Sequence, residues 1–372
     1  MSTRLYVATR KGLFTVDRQA SGWAVTRAAF VGDNCTLLMH DPRSDHLLAA
    51  LNHGHFGIKV HRSTDDGETW QEVATPVYPE VPEGHTPKPH PFTGQPLEWS
   101  LKLIWALAPG GADEPGVVWC GTMPGGLFRS ADGGDSWELN RPLWDHPQRE
   151  DWGPNGAEFP GIHSICVDPR DSRHVTVGVS TGGAWITRDG GASWEICGRG
   201  MRSEYMPPEQ AYDPIAQDVH YLAQCEADPD TMWVQHHNGM FHSTDGAASW
   251  REITDVQPST FGFAVASHPG DPKTAWFVPS TKDEKRCPTD GKVVVTRTRD
   301  GGKSFEILRT GLPQVHAYDL VYRHALDVDG TGNTLAFGST TGSVWVSENG
   351  GDSWQTVSTH LPPVYAVRFV KA

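Results

Sequence analysis

Histidine is the reactive residue type that this 372-residue chain concentrates: it has 18, and two short glycine-containing runs hold four of them. One run reads Asn52-His53-Gly54-His55-Phe56-Gly57 and the other Gln235-His236-His237-Asn238-Gly239. An imidazole titrates near neutrality, so such runs suit proton transfer, and its neutral form is a common ligand for transition metals. His163 and His324 belong with them, because each stands five residues before the Asp of a terminal Val-Asp. His85, His90, His146 and His220 add to the inventory. We expect His55, His163 and His236 to act in catalysis, with Glu158 or Asp319 as acid or base. His53, His55 and His236 form the set expected to hold a divalent metal. Arg10, Lys11, Asn52, His237, Asn238, Trp152, Tyr318 and Arg286 are the expected substrate contacts. Two carboxylates about 5 to 10 Å apart would instead make a glycosidase pair. Asp33, Glu98, Asp145, Glu158, Glu204, Asp213 and Asp319 are the acids from which it could be drawn. The competing reading of these residues is structural: histidines bonded to loop backbone, and carboxylates in water.

A repeat must position them. Six copies of one eight-residue turn run from Ser63 to Trp70, Ser130 to Trp137, Thr187 to Trp194, Ser243 to Trp250, Thr298 to Phe305 and Ser347 to Trp354. The third residue is Asp65, Asp132, Asp189, Asp245, Asp300 or Asn349. Its short side chain can accept hydrogen bonds from its own turn, which makes it a clamp rather than an acid, base or ligand. Glycine at the fifth position supplies the positive φ of a tight turn, with Ala247 as the exception. The closing aromatic is large enough to fill the space between sheets.

The third-position residues are 67, 57, 56, 55 and 49 residues apart, which are propeller-blade periods with insertions. The N-terminal Leu5–Thr15 segment reads as a second and third strand, and the C-terminal Pro363–Val370 segment as a first strand without partners. Joined, they close one blade and leave no open edge. The fold class expected is all-β: a seven-bladed propeller over residues 1 to 372, as one domain. Its box turns share a face with the first-to-second turns. The opposite face carries the second-to-third turns and the inter-blade loops, three of which, 76 to 100, 141 to 162 and 199 to 219, are long. Loops of that length usually build a binding rim.

Composition narrows the partners. With 31 basic and 45 acidic residues, net −14, the chain does not suit nucleic acid or an anionic membrane surface. It has no apolar run long enough to span a bilayer and no signal-peptide pattern at its start, so a cytoplasmic location is expected. The six scattered cysteines contain no Cys-x-x-Cys, and buried reduced thiols are expected.

The repeated turn resembles the Asp-box, or BNR repeat, of sialidases, xyloglucanases, sortilin-type receptors and photosystem II assembly factors. The resemblance extends over the whole chain and implies a sialidase-like propeller with glycosyl-hydrolase relatives. It does not carry sialidase chemistry: no Arg-Ile-Pro occurs, and Arg10 is followed by Lys11-Gly12. The expected function is a hydrolase or lyase acting on a small polar or carbohydrate ligand at the mouth of the central channel. The alternative is a propeller scaffold that docks a protein partner there without catalysis.

Overall fold

The structure, a computed structural model, describes residues 2–84, 99–153 and 159–370. These residues form seven antiparallel sheets of four strands each. The sequence-predicted closure is found: Val364–Phe369 pairs with Arg4–Thr9, followed outward by Gly12–Gln19 and Gly22–Ala29. We call this blade 1. The innermost strands of blades 2 to 7 are Asn34–Asp41, Leu103–Pro109, Gly161–Val167, Val219–Gln224, Gly262–Ser267 and Leu326–Val328. No helix among the described residues is long and apolar enough to cross a membrane. All six cysteines are free thiols.

The repeated turns work as their sequence predicts. Thr69 donates its backbone N–H to Asp65 Oδ1 (2.9 Å) and its hydroxyl to Oδ2 (2.6 Å), and the same pair of bonds recurs at Asp132, Asp189, Asp245 and Asp300. In the last copy the Asn349 amide donates to Ser353 Oγ (2.9 Å), so one bond is reversed and the clamp survives. The hydroxyl bond and its companions hold Asp65, Asp132, Asp189 and Asp300 down at about 2. Both the fourth and fifth residues of each turn lie in the left-handed region that favours glycine; the exceptions are Asp66 at a fourth position (φ 56°), a residue type that tolerates this region, and Ala247 at a fifth (φ 65°).

Three of the five closing tryptophans tie neighbouring blades together, whereas Trp70 Nε1 donates to Gly67 O (3.2 Å) in its own turn and Trp354 Nε1 has no partner among the described residues. Trp137 Nε1 donates to Ala74 O (2.9 Å), Trp194 Nε1 to Asn140 Oδ1 (2.9 Å) and Trp250 Nε1 to Cys197 O (2.6 Å), each acceptor lying just past the outer strand of the preceding blade. In these three the indole packs between sheets and satisfies its one donor at the same time.

One further regularity was not expected. Near its start, the innermost strand of blades 1 to 6 has a β-bulge that leaves an unpaired residue: Tyr365, Thr36, Trp105, His163, His220 and, with Ala264, Phe263. Bulges re-aim side chains, and a seventh residue, His324, stands at the same spacing ahead of the Asp329 corner. These seven positions ring the channel at the mouth that carries the second-to-third turns.

Candidate functional site

His163 and His220 occupy equivalent bulges and clasp the next blade in the same way. His163 Nε2 bonds Val219 O (2.7 Å), the residue before the blade 5 bulge; His220 Nδ1 bonds Gly262 O (2.7 Å), the residue before the blade 6 bulge. A carbonyl only accepts, so each bond fixes which ring nitrogen carries the proton. The remaining nitrogens differ. His163 Nδ1 meets Ser164 Oγ at 2.8 Å, and that hydroxyl also accepts from Leu222 N–H (3.1 Å). His163 is therefore fully committed to the wall, and burial pushes its pKa well below the ordinary value. His220 Nε2 instead faces Asp218 Oδ2 at 3.7 Å.

Asp218 is the centre of this group. His237 Nδ1 lies 3.1 Å from the same Oδ2, and its Nε2 points to Asp283 Oδ2 at 3.8 Å. The neighbouring His236 works differently, since its Nε2 accepts the Asp218 backbone N–H (3.1 Å), while His237 N–H donates to Asp218 O (2.9 Å). The second-to-third turn of blade 5 thereby fixes the carboxylate. Burial pushes His236 down to about 3, so it stays neutral. The ring of His220 stacks on Phe263 at 4.4 Å, and Tyr205 packs edge-on to His237 at 5.2 Å.

Beside this group opens a mouth cavity of about 320 Å³ lined by Asn34, Thr36, Asn52, Trp105, Tyr322, Arg323 and Tyr365, among others. Arg323 lies over two aromatic faces, 4.8 Å from Trp105 and 5.3 Å from Phe263, and links the cavity to His220 through that phenyl ring. Its Nε is buried with no hydrogen-bond partner among the described residues. Burial lowers the guanidinium pKa to about 10 while the Asp218 charge opposes the shift.

The expected site residues divide. His237, Asn238 and Arg286 do lie around the Asp218 group: Asn238 Oδ1 accepts Glu204 N–H (3.1 Å), and Arg286 Nε donates to Asp283 Oδ1 (2.9 Å). Asn52 lines the mouth cavity. The metal set His53, His55 and His236 does not gather. His53 sits beside Asp33 (3.5 Å), His55 is exposed against Phe56, and His236 is turned inward onto the Asp218 backbone. These are short turns of blades 2 and 5, and their similar sequences do not bring the side chains together. Trp152, an expected substrate contact, is 7% exposed and packs against Trp185 (5.8 Å). Asp319 Oδ1 accepts from Ser339 Oγ (2.7 Å) and the Thr341 hydroxyl. Arg10, Lys11 and Tyr318 are exposed. Glu158, His85, His90 and Glu98 lie outside the described residues.

Asp218, Arg323 and Trp105 are the site residues that the chain did not advertise, and His220 stood only in the wider histidine inventory. For His220 a signal existed: it stands five residues before Cys225, as His163 stands before Asp168, but the corner of blade 5 runs on to Asp228-Pro229 and hides the alignment.

No family model matches the chain. The curated relatives it resembles are xyloglucanases. An oligoxyloglucan-reducing end-specific xyloglucanase of Emericella nidulans is 40% identical over 91 residues, 24% of this chain and 10% of that protein. A Paenibacillus xyloglucanase is 22% identical over 306 residues, 71% of this chain and 27% of that protein. The chain therefore spans well under a third of either relative. Among solved structures, the GH74 xyloglucanase of Xanthomonas campestris superposes with a TM-score of 0.63 at 18% identity, covering 96% of this chain and 53% of that one. YCF48 from Cyanidioschyzon merolae reaches 0.53 at 12% identity over 88% of this chain and 87% of that one. At such identities the superpositions establish the propeller fold alone.

Proposed function

We propose that the protein is a glycoside-directed hydrolase or lyase whose ligand enters the mouth cavity between blades 2, 3, 7 and 1. The observation that carries this reading is the lining of that cavity. Trp105, Tyr322 and Tyr365 supply ring faces of the kind on which sugar rings stack, and Asn34 and Asn52 supply amides for hydroxyl groups. Arg323 brings a cation whose buried Nε has no partner among the described residues, an unmade bond that a ligand oxygen would complete. The volume of about 320 Å³ falls at the lower end of small-molecule sites, which favours one or two sugar units over a long polymer. The resemblance of the six clamped turns to the Asp-box and the local likeness to xyloglucanases make xyloglucan oligosaccharides the first ligands to offer. The chain's share of those proteins is small, so their activity is a starting point for the screen.

The test is ligand-observed NMR with xyloglucan oligosaccharides and a panel of short neutral and acidic glycosides, followed by turnover assays on whatever binds. Binding should fall at least 10-fold in Trp105→Ala and in Arg323→Gln with the fold intact by circular dichroism. Absence of binding across the panel at millimolar concentration, or binding unaffected by both substitutions, would overturn the proposal.

A further inference from the structure

We propose that Asp218, His220 and His237 form a mononuclear site for a divalent transition metal. Their ligand atoms lie within 4.8 Å of one another, and among the described residues no other group of His, Cys and acidic side chains meets that condition. Ligands held 2.0 to 2.2 Å from a tetrahedral ion stand about 3.3 to 3.6 Å apart. The two measured separations, 3.1 Å from Asp218 Oδ2 to His237 Nδ1 and 3.7 Å from Asp218 Oδ2 to His220 Nε2, bracket that edge.

The surroundings point the same way. His220 gives its Nδ1 proton to Gly262 O at 2.7 Å, so the lone pair of Nε2 is turned on the carboxylate oxygen. Two electron-rich atoms facing each other at 3.7 Å are stabilised by a cation between them. His237 has the matching arrangement, with Nδ1 in the group and Nε2 directed at Asp283 Oδ2, 3.8 Å away. A carbonyl behind one imidazole and a carboxylate behind the other are the outer partners that orient histidine ligands around metals. Seryl and backbone groups leave room for this role: Asp218 Oδ1, not Oδ2, takes the long contacts from Thr181 N–H (3.3 Å) and Ser180 Oγ (3.5 Å). His236 fixes the carboxylate's backbone from below, as described above.

Two histidines and one carboxylate leave coordination positions open, which is the pattern of a catalytic or ligand-binding ion and not of a closed structural one. The open side is that of His237, 23% exposed at its side chain, whereas those of Asp218 and His220 are 11% and 3% exposed. Charge balance is supplied locally: Asp218 and Asp283 offset Arg286 and Arg323, and an ion adds net positive charge at the mouth. An anionic or hydroxyl-rich ligand is therefore the kind that the loaded site would attract. The metal site needs no particular substrate and stands apart from the glycoside proposal.

The experiment is calorimetric titration of the chelator-stripped full chain with Zn2+ alone and Co2+ alone. Binding of about one equivalent, with a tetrahedral or five-coordinate Co2+ absorption band, is expected. His237→Gln should weaken it at least 100-fold, and Asp283→Asn, which touches only the outer shell, about 10- to 100-fold. His237 is at the surface of the group, so its variant should fold; Asp283→Asn serves if it does not. Absence of Zn2+ and Co2+ binding below 100 µM, or binding unchanged in both variants, would overturn the metal site. Glycoside binding measured in stripped protein reads the other proposal separately: its failure with metal binding intact, or the reverse, identifies which one is wrong.

Discussion

Blades 4 and 5 place a histidine at the same bulge, bond it to the same carbonyl position of the next blade, and use it for different ends. His163 closes: both nitrogens have protein partners at 2.7 and 2.8 Å, and the ring is wall. His220 stays half open: blade 5 has Tyr221 where blade 4 has Ser164, and the remaining nitrogen, Nε2, faces the Asp218 carboxylate at 3.7 Å. A repeat protein supplies equivalent positions cheaply, and function arises where one copy leaves a valence unfilled. The six clamped turns make the same point on the other face. Their five aspartates have both carboxylate oxygens engaged within the turn, which holds their pKa values below the ordinary range.

The largest expected effect that sharpens this comparison is on the closed member. His163→Ala should destabilise the protein by about 2 to 4 kcal/mol in denaturant unfolding, because it opens a cavity and strands Val219 O and the Ser164 hydroxyl. Zn2+ affinity of the folded fraction should be unchanged, and a loss of affinity would break the distinction between the two histidines. Ser164→Ala removes the hydroxyl that serves both His163 and Leu222 N–H, and should cost about 1 to 3 kcal/mol by the same measurement.

The clamped acids predict a pH profile. Their folded pKa values, about 2, lie below the ordinary 3.8, so their stabilisation is complete above that ordinary value and disappears as pH falls through about 2. Melting temperature should fall steadily from pH 5 to pH 2, and a flat profile would contradict the clamp. The smallest effect belongs to the one turn without glycine at its fifth position. Ala247→Gly should relieve the strain at φ 65° but lose a fully buried methyl, so the two offset and stability should change by less than about 1 kcal/mol in the same unfolding assay, with ligand and metal binding unaltered.

Much of the fold was legible because its signals are local. Asp65 to Trp70 carries its own hydrogen bonds, six such turns mark six blades, and the two complementary terminal segments supply the seventh and the closure. The site was legible only in part. The run Gln235 to Gly239 drew attention to the correct turn, and His237 is in the group, but sequence could not show that His236 faces inward while its neighbour faces out. Asn52 to Gly57 looks equivalent and leads only to an Asp33 contact and an exposed ring. Asp218 and His220 are two apart at the start of a strand, and a bulge between Val219 and Tyr221 re-aims the second. Strand alternation does not foresee that, and the lengthened corner after Cys225 obscures the register that would have aligned His220 with His163. Arg323 is silent in sequence because its meaning lies in what it lacks, a partner for a buried Nε.

The most direct measurement of the central claim, that blade 5 opens the valence which blade 4 closes, is anomalous diffraction from a crystal soaked in Zn2+. The account predicts one strong peak about 2.0 to 2.2 Å from Asp218 Oδ2, His220 Nε2 and His237 Nδ1, and no peak near His163. An empty Asp218 group, or zinc bound at His53 and His55 instead, would contradict it.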